Sequence, residues 1–581
     1  MKSNITVLKF GSSVLRDETD LPRAVHEIYR RWRSGSQVLA VVSAIGQTTD
    51  QLLQRAESLT AEPHSRSVAA LLATGEATSA ALLGIALHRA GLPVKVLSAE
   101  QANLRTSGEP LDAEPTDVDA GKIREHLRDS IVVVPGFVGV DASGEPTLLG
   151  RGGSDLTALF LADRLDADAV LVKDVAGLYE SDPHIGDFRP RRFIRASWET
   201  ARRVGTKVVQ EKAVRFAEEC GLSFSITAAG SNLTTEIGAW LDELTTERAE
   251  TRRLRIALLG CGTVGGGVFR ALASLPEFFE VVAVADRNKN KAQAVGVPDH
   301  LLTPDAIEAI ERDCDVVIEL FGGIEPTRQY IEHALDLGRH VVTANKALLA
   351  QEADRLERLA EKRNVHLHYS AAVGGVMPAL EAVARTPVLR SFSGIVNGTC
   401  NFICDELANG RDFDEAVRAA QSAGFAEADP TLDISGADAA QKLSLLARTA
   451  FGIRLSTDDI SVEGITDLDA GRVGSAAERG NVIRLIAECT RTSDGFHASV
   501  RPLELIASHP LALATGAENC LLLETNDGET VTVRGRGAGR WPTTEAVVAD
   551  LFDLYRDGTP SVRRYAVAAA AAANTFTEVY A

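Results

Sequence analysis

Three glycines, Gly260, Gly262 and Gly265, form the most specific chemical signal in this sequence. They follow the apolar run LRIALLG, which we predict to be a strand, and they precede a helix-like stretch. A strand, a GxGxxG turn and a helix N-terminus in this order hold the pyrophosphate of a dinucleotide against backbone N–H groups. A second predicted strand, EVVAVAD, ends at Asp286, about 20 residues further on, where such folds place an acid for the ribose. The sequence therefore predicts a dinucleotide site, whose turn also contains Thr263 and Val264.

The residues after Asp286 leave the choice of dinucleotide open. An acid at this position favours the free ribose 2′-hydroxyl of NAD. The basic residues Arg287, Lys289 and Lys291 follow directly and could accept the 2′-phosphate of NADP. We therefore expect either NAD or NADP as the cofactor.

Further polar residues stand in glycine-rich or apolar surroundings, at Thr343 to Lys346, Asn397 to Thr399, and Gly424 to Lys442. A small amino-acid aldehyde needs carboxylates for its ammonium, donors for its carboxylate, and an acid beside the carbonyl that receives hydride. This set supplies each group. Asp438 and Lys442 are spaced i and i+4 on a predicted helix, so the carboxylate can orient the ammonium. By spacing alone, an ordinary surface ion pair is the simpler interpretation.

The N-terminal part carries charged loops at several predicted strand ends. The run ITVLKF leads into Lys9 to Ser13 at its end, and Thr74-Gly-Glu76, Gly150 to Asp155 and Lys173-Asp174 come later. Such loops favour an anionic ligand at the carboxyl edge of a parallel sheet. The pattern alone leaves a nucleotide site and plain turns equally open.

Two series of short apolar runs, alternating with helix-like stretches, must position these residues. The first extends from Ile5 to about Thr227 and the second from Leu254 to about Val376, and each indicates βαβ units with a mostly parallel sheet. The segment from Ala228 to Arg252 is polar and predicts a linker. After Val376, a strand and longer helices predict an α+β region up to about Tyr555.

Composition narrows the class of protein. The chain has 581 residues, enough for three or four structural units. Its 80 acidic and 61 basic residues are spread along the sequence, which argues against a nucleic-acid partner. We recognise no signal peptide and no long apolar run unbroken by charge, so we expect a cytoplasmic protein with no membrane partner. The seven cysteines are scattered, and although Cys400 and Cys404 could share a helix face, we expect no metal site.

The stretch from about Arg253 to Tyr555 resembles the homoserine dehydrogenases. It carries, in the family's order, GCGTVGGGV, CDVVIELFGG, VVTANKALLA, SAAVGGVMP, SGIVNGTCNFI, GFAEADPTLDISGADAAQKL and GRGAGRWPTTEAVVADL. The resemblance implies interconversion of aspartate semialdehyde and homoserine with a nicotinamide cofactor, with Lys442 and Lys346 as the catalytic lysines. Ser370 stands where the family usually has a carboxylate, beside a loop at which some members bind a monovalent cation. The resemblance implies substrate or cofactor contacts for Glu427, Asp433, Asp438, Asn397, Thr399, Thr343 and Gly537.

Residues Lys9 to about Thr227 resemble the amino-acid kinase fold, most closely the aspartate kinases. The motifs VVSAIGQTTDQLL, LLATGEATSAALL, LGRGGSDLTALFLADRLDADAVLVKDVAGLYESDP and VGTKVVQEKAV stand in the family's order. The resemblance implies phosphate transfer from magnesium ATP to the side-chain carboxylate of aspartate, with Lys9 stabilising the transferring phosphoryl group. It implies that aspartate meets Thr49, Glu76, Arg151 and Asp155, and that nucleotide meets Gly11, Ser12, Asp174 and Lys207.

The kinase-like part departs from the aspartate kinase pattern in three places. It has KFGSS where the family usually has KFGGTS, KDVAGLY for TDVDGVY, and QEK for HPR. Lys173 and Ala176 thus replace a hydroxyl and a carboxylate. The regulatory ACT domains that usually follow are missing before the dehydrogenase-like part. Two alternatives to an aspartate kinase stay open, a silent binding or dimerising module and a kinase for another acidic amino acid.

Together the resemblances predict an α/β protein with an amino-acid-kinase-like domain, a Rossmann dinucleotide-binding domain and an α+β substrate and dimerisation domain. We expect a homodimer or a larger homo-oligomer. The expected boundaries are a kinase-like domain at 1–228, a linker at 229–252, a cofactor domain at 253–386, a catalytic domain at 387–534, and a segment returning to the cofactor domain at 535–581.

Overall fold

Apolar runs and the stretches between them build two units, Met1–Thr251 and Arg252–Ala581. The computed structural model describes residues 4–183, 190–205, 207–245 and 253–557. Parts of the predicted linker, at 246–252, and of the predicted returning segment, at 558–581, therefore lie outside the described residues.

The first unit is a sheet of nine strands covered by helices, in the order β13-β10-β12-β11-β9-β1-β2-β6-β3. Its central strands are parallel, as the alternating pattern predicts. A smaller sheet has the order β5-β4-β7-β8. The strands are β1 Ile5–Phe10, β2 Gln37–Val42, β3 Val94–Val96, β4 Arg105–Glu109, β5 Asp112–Asp117, β6 Ile131–Pro135, β7 Val138–Val140, β8 Pro146–Leu148, β9 Asp168–Lys173, β10 Phe193–Ser197, β11 Phe224–Ala228, β12 Thr234–Gly238 and β13 Glu243–Leu244.

Seven α-helices accompany these strands in the described part of the first unit. One of them, α3, is long and apolar enough to cross a membrane by length and composition, but half of its apolar window is buried. It packs against β6 and β8 as a core helix of the unit. The helices are α1 Leu21–Arg33, α2 Thr48–Leu59, α3 Ser65–Ala90, α4 Ala120–Leu127, α5 Gly153–Leu165, α6 Trp198–Val204 and α7 Glu211–Glu219.

The predicted linker at 229–252 is wrong over its described part, because β12 and β13 belong to the first sheet. Strand β12 pairs with β10 and β11, and β13 pairs with β10. Thr235 and Ile237 face inward and are fully buried, while Glu236 between them is exposed. The Thr235 hydroxyl donates to the Phe193 carbonyl, which satisfies it inside the core. A strand with a buried threonine therefore looks like a polar linker in the sequence.

The second unit begins with six parallel strands in the order β16-β15-β14-β17-β18-β19, the Rossmann order 3-2-1-4-5-6. In such a sheet the crevice at the switch point lies beside the carboxyl end of its first strand, here β14. The strands are β14 Leu254–Leu259, β15 Phe279–Ala285, β16 Leu302–Thr303, β17 Val316–Glu319, β18 His340–Thr343 and β19 Leu367–His368. The helices of this part are α8 Thr263–Ala273, α9 Lys289–Val295, α10 Ala306–Glu311, α11 Thr327–Asp336, α12 Lys346–Arg363 and α13 Ala379–Arg385.

A third sheet, mainly antiparallel, follows in the order β21-β23-β22-β20-β24-β25. Helices α14, α17 and α18 pack against its strand β22. The strands are β20 Leu389–Ile395, β21 Ser461–Val462, β22 Asn481–Thr492, β23 Gly495–Ile506, β24 Glu518–Thr525 and β25 Thr530–Arg536. The helices are α14 Gly398–Ala408, α15 Phe413–Ser422, α16 Thr431–Ile434, α17 Ala437–Phe451 and α18 Ala470–Glu478.

The last described helix, α19 Arg540–Asp557, packs against α8 at the start of the second unit. Its buried residues Val547, Leu551 and Phe552 share one hydrophobic core with residues of β14 and α8. The ring of Phe552 meets those of Phe278 and Phe279 edge-on, with centroids 5.1 and 4.9 Å away. The α/β fold class and the three-part order predicted from the sequence are confirmed.

Candidate active sites

The glycine turn lies between β14 and α8, at the carboxyl edge of the Rossmann sheet. A Cβ on Gly265 would lie 1.9 Å from the Gly260 carbonyl oxygen, so the turn closes only with glycine at that position. A Cβ on Gly262 would meet no atom within 4 Å, so the backbone there borders open space. Thr263 and Val264 begin α8 with Gly262 as its N-cap. The turn thus offers backbone N–H groups and open room for a pyrophosphate.

Asp286, directly after β15, ties this turn to the next strand. Its Oδ2 accepts the backbone N–H of Cys261 at 2.7 Å, and its Oδ1 accepts that of Asn288 at 2.8 Å. Arg287 and Lys289 are exposed just beyond it. The carboxylate therefore orders the turn in addition to any contact with a ribose.

Glu319, at the end of β17, is a buried carboxylate that the sequence analysis did not identify. Its Oε1 accepts the backbone N–H groups of Phe321 and Gly322, and its Oε2 accepts the Thr343 hydroxyl at 2.6 Å. Burial raises the pKa of Glu319, although these hydrogen bonds oppose that shift. Thr343, predicted to meet the cofactor, is itself fully buried. Glu319 thus joins the ends of β17 and β18, and Lys346 begins α12 just after β18.

Asp438, in the first turn of α17, holds both predicted catalytic lysines. Its Oδ2 lies 2.9 Å from the Lys442 Nζ, and its Oδ1 lies 2.9 Å from the Lys346 Nζ. The Asp438 and Lys442 side chains are each 6% exposed, whereas that of Lys346 is 38% exposed. The interpretation of Asp438 and Lys442 as a surface pair is therefore wrong. Their helix packs this face against other elements, as the 2.7 Å hydrogen bond from Lys442 Nζ to the Val396 carbonyl shows.

The charges in this cluster shift one another's protonation. Burial works against a charged Asp438, but Lys442 and Lys346 outweigh it and hold the pKa of that carboxyl well below its ordinary range. Burial also disfavours a charged Lys346, but Asp438, Asp433 and Glu427 together raise the pKa of its ammonium. Both Asp438 and Lys346 are therefore charged at neutral pH.

Asn397, the N-cap of α14, joins the cluster to a second carboxylate. Its amide Nδ2 donates to Asp433 at 2.7 Å and to Asp438 at 2.8 Å, while its Oδ1 accepts the Cys400 backbone N–H. Burial and the nearby charge of Asp438 raise the pKa of the half-buried Asp433. The buried Thr399 hydroxyl donates to the Phe425 carbonyl. The structure thus brings these predicted substrate residues together around the two lysines.

Cys400 and Cys404 are both buried on α14. The Cys400 thiol donates to the Asp433 carbonyl at 3.1 Å, and burial raises the pKa of Cys404 to about 12. Among the described residues, no group of three or more side chains has the arrangement to bind a metal ion. The two thiols therefore pack as small buried residues.

Two further predicted positions serve packing. A Cβ on Gly537 would lie 1.6 Å from the Nδ2 of the fully buried Asn519, so the strand and the GRGAG loop approach closely only with glycine there. Ser370 is buried, and its backbone N–H donates to the Asp550 carboxylate of α19 at 3.1 Å. A carboxylate thus reaches this loop from the last helix.

A second lysine and carboxylate cluster lies in the first unit, where β1 and β9 end side by side. Lys9 is opposite Leu171 in the parallel register, so Lys173, two residues on, projects from the same face. The Lys9 Nζ lies 2.8 Å from the Oδ1 of Asp155, and the Lys173 Nζ lies 2.8 Å from its Oδ2. Asp155 is in the first turn of α5, and all three side chains are at most 7% exposed. The sequence analysis named Lys173 only as part of a charged loop and gave it no role of its own.

Burial and neighbouring charges shift the pKa values of the side chains in and near this cluster. Burial would raise the pKa of Asp155, but Lys9 and Lys173 outweigh it and bring it to about 2. Burial and the charge of Lys9 lower the pKa of Lys173 to about 8. Burial raises the pKa of Glu76, on α3, to about 8, and its Oε2 has no hydrogen-bond partner in the described structure.

Most of the remaining predicted kinase residues are more exposed than this buried cluster. Ser12, Arg151 and Asp174 are exposed, and Thr49 is half-buried near the start of α2. Lys207 is 78% exposed and pairs with Asp182 at 3.3 Å. An open cleft of about 420 Å³ is lined by residues 16–19, residues 45–48 and Gln51, and Thr49 follows its lining residue Thr48. A Cβ on Gly11 would lie 2.7 Å from the Lys9 Nζ, so glycine leaves room for that ammonium.

Comparison with known proteins finds family models that match parts of both units. Residues 376–552 match the homoserine dehydrogenase family model, and residues 260–370 match the model of the homoserine dehydrogenase NAD-binding domain. Residues 4–228 match the amino acid kinase family. The motifs that carried the two resemblances fall within these ranges, except SAAVGGVMP at 370–378, which bridges the gap between the two dehydrogenase models.

Individual relatives agree with the family models. A homoserine dehydrogenase of Corynebacterium glutamicum is 38% identical over 322 residues, which cover 52% of this chain and 72% of that protein. One of Mycobacterium bovis is 39% identical over 319 residues, covering 52% and 72%. The crystal structure of a homoserine dehydrogenase from Thiobacillus denitrificans is 36% identical with a TM-score of 0.51, covering 53% of this chain and 74% of that one.

Proposed function

Because this chain belongs to the homoserine dehydrogenase family, we propose that its second unit interconverts aspartate 4-semialdehyde and homoserine at the cluster around Asp438. The observation that carries this proposal is one buried carboxylate holding two lysine ammonium groups beside Asn397 and Asp433. The reaction converts an aldehyde to an alcohol, so it needs an acid at the carbonyl oxygen and anionic groups for the substrate ammonium.

A nicotinamide dinucleotide fits the glycine turn of the second unit. The turn has open space at Gly262 and the N-terminus of α8 behind it, and Asp286 orders it from β15. When bound, this cofactor supplies the hydride for the aldehyde or accepts it from the alcohol. Asp286 favours NAD, while the exposed Arg287 and Lys289 can meet a 2′-phosphate. We propose that both cofactors are used, with kcat/KM values for NADH and NADPH that differ modestly. A preference above about a thousandfold, or ~4 kcal/mol, would contradict this.

Lys442 donates the proton to the oxygen of the aldehyde in this proposal. A lysine ammonium has three N–H donors. One is directed to the Val396 carbonyl and one to Asp438, which fixes the direction of the third. Lys346 is more exposed and contacts the other oxygen of Asp438. Asp433 and Glu427 add negative charge near Lys346 and are our candidates for the substrate ammonium.

Replacing Lys442 by alanine tests this assignment. We expect Lys442→Ala to lose about 10²–10⁴ in turnover, the usual cost of a missing general acid, while its binding of NADPH stays unchanged. Lys362→Ala, an exposed position at the end of α12, is the matched control and should keep wild-type turnover. Turnover of Lys442→Ala within a few-fold of wild type would move the proton-donating role to Lys346.

We further propose that the first unit, which belongs to the amino acid kinase family, phosphorylates the side-chain carboxylate of aspartate with MgATP. Lys9 and Asp155 lie buried at the carboxyl edge of its sheet, and the cleft beside Thr49 offers room for the acceptor. Arg151 and Glu76 are further candidates for the amino acid. Ser12, Asp174 and Lys207 are candidates for the nucleotide.

ATP consumption by the purified full chain tests this second activity. We expect consumption that depends on aspartate. Consumption with glutamate instead would indicate a kinase for another acidic amino acid. Consumption with neither would indicate that the first unit is a silent binding or dimerising module.

A further inference from the structure

Lys173 gives the first unit one more buried positive charge than its buried carboxylate needs. Asp155 already has Lys9 at 2.8 Å, and a buried carboxylate is balanced by one ammonium. Lys173 nevertheless lies with its Nζ 2.9 and 2.8 Å from the two oxygens of the same carboxylate and is only 7% exposed. Two ammonium groups therefore share one counter-charge inside the protein.

The nearby acids do not restore the balance at neutral pH. Glu76 is buried on α3, and burial raises its pKa to about 8, so it is mainly uncharged at pH 7. Asp174 follows Lys173 in the chain but is exposed to solvent. The buried cluster is thus one positive charge in excess, which an anion from solution can neutralise.

The position of the cluster indicates the kind of anion. Lys9 and Lys173 lie at the carboxyl ends of two adjacent parallel strands, and Asp155 lies in the first turn of the 13-residue helix α5. Ligands of open α/β sheets bind at this edge, and the N-terminus of a helix favours phosphate. Two donors of the Lys173 ammonium contact Asp155, which leaves the third for a ligand.

We infer that Lys173 is a second catalytic cation of the first unit, which contacts the phosphoryl group of ATP together with Lys9. This inference rests on the proposed kinase function. During transfer, the bond from the γ-phosphorus to the bridging oxygen of ADP breaks, and a bond from a substrate carboxylate oxygen to that phosphorus forms. The two ammonium groups neutralise the charge of the phosphoryl oxygens, and no further reactant is needed. Asp155 keeps the ammonium groups in place before the phosphate arrives.

Three variants of the full chain test this role. Lys173→Met keeps the length and removes the charge, and Lys173→Thr restores the hydroxyl of the usual family pattern. Lys95→Met, on an exposed position of β3, is the matched control. We expect both Lys173 variants to lose about 10²-fold or more in kcat for aspartate-dependent ATP consumption, with KM for aspartate within threefold of wild type. Lys95→Met should behave as wild type.

A merely structural lysine would give a different pattern. Lys173→Met with kcat within threefold of wild type, or Lys173→Thr at or above the wild-type rate, would overturn the inference and leave the kinase proposal intact. A parallel fall in kcat and in the thermal unfolding midpoint of the first unit, with Lys173→Arg no better than Lys173→Met, would overturn it as well. Rescue of kcat by Lys173→Arg to within tenfold would support it.

Binding of MgATP, measured by calorimetry, separates failure of the inference from failure of the kinase proposal. If wild-type protein consumes no ATP with aspartate, the kinase proposal fails, but Lys173 can still contact phosphate. In that case we expect Lys173→Met to weaken MgATP binding at least tenfold relative to Lys95→Met. Equal affinities, or no MgATP binding by the wild type, would overturn the role of Lys173.

Discussion

Replacing Asp438 by asparagine removes the carboxylate that pairs with both Lys346 and Lys442. Losing one partner of a buried ion pair costs about 3–5 kcal/mol, because the other charge stays buried. Lys346 is 38% exposed and can turn to solvent, so only Lys442 keeps a buried ammonium without its counter-charge. The asparagine oxygen can still accept from Lys442, so we expect the lower end of that range, about 3 kcal/mol. The asparagine NH₂ then faces Lys346, and we expect turnover to fall about 10²-fold as that lysine loses its position.

Urea unfolding can report this loss in the second unit alone. Three of the four tryptophans, Trp32, Trp198 and Trp240, lie in the first unit, and Trp541 lies on α19 in the second. A background with phenylalanine at the first three positions makes Trp541 the only indole reporter. The free energy of unfolding is then compared with and without Asp438→Asn.

The control for this experiment is Asp336→Asn, which breaks a surface pair. Asp336 meets Arg363 at 2.9 Å but is 51% exposed, so we expect a change below about 1 kcal/mol. The pKa of Asp438 is lowered in the folded protein, so its contribution is full above about pH 4, the ordinary carboxyl range, and is lost as the pH falls below it. The difference between wild type and Asp438→Asn should therefore shrink in acid. A loss under 1 kcal/mol at pH 7, with turnover within tenfold of wild type, would refute the reasoning.

Four further outcomes follow from positions described above. Gly262→Ala should leave the thermal unfolding midpoint unchanged, because its Cβ would meet nothing within 4 Å. It should raise KM for NADPH about tenfold, because the added methyl group occupies space for the pyrophosphate. An unchanged KM would show that the pyrophosphate does not bind at this turn. Gly537→Ala should lower the free energy of unfolding in urea by about 1–3 kcal/mol, because its Cβ would lie 1.6 Å from Asn519 Nδ2. An unchanged urea midpoint would mean that Asn519 can move aside without cost. Glu319→Leu should lower the free energy of unfolding in urea by about 3 kcal/mol. The reason is that the Thr343 hydroxyl and the N–H groups of Phe321 and Gly322 lose their acceptor. Equal stability of Glu319→Leu and Glu319→Gln would contradict this. Threonine and lysine at millimolar concentration should change neither the rate of homoserine oxidation nor that of ATP consumption. The reason is that the usual effector domain is missing between the units. Non-competitive loss of half of either rate would show an effector site elsewhere in the chain.

The fold could be predicted from the sequence where strand, turn and helix signals agreed. The Rossmann part is the clearest case, because LRIALLG, the glycine turn and Asp286 all predict the same dinucleotide-binding arrangement of strand, turn and helix. Strand β12 was missed because Thr235 satisfies its buried hydroxyl through the Phe193 carbonyl, a contact that depends on a distant strand. A polar residue in a short strand gives no local sign of such a partner.

Site residues were harder to predict where burial decided their role. The spacing of Asp438 and Lys442 is common on helix surfaces, and only the packing of α17 shows that this pair is buried. Glu319 was missed and Lys173 was given no role of its own, although each ends an apolar run, CDVVIE and DAVLVK, that forms a parallel strand. A charged residue at the carboxyl end of such a strand is a usable signal, because that edge of the sheet is where ligands bind.

The packing of α19 on α8 affects how the chain folds during synthesis. The apolar face of β14 and α8 is covered by Val547, Leu551 and Phe552, which are among the last described residues to leave the ribosome. Before they emerge, the nucleotide-binding sheet exposes that face to water. All described strands of the first unit are complete by Leu244, so it can fold while the second is still being made. A nascent chain can therefore fold its first unit first, and can complete its dinucleotide-binding part only after α19 has emerged.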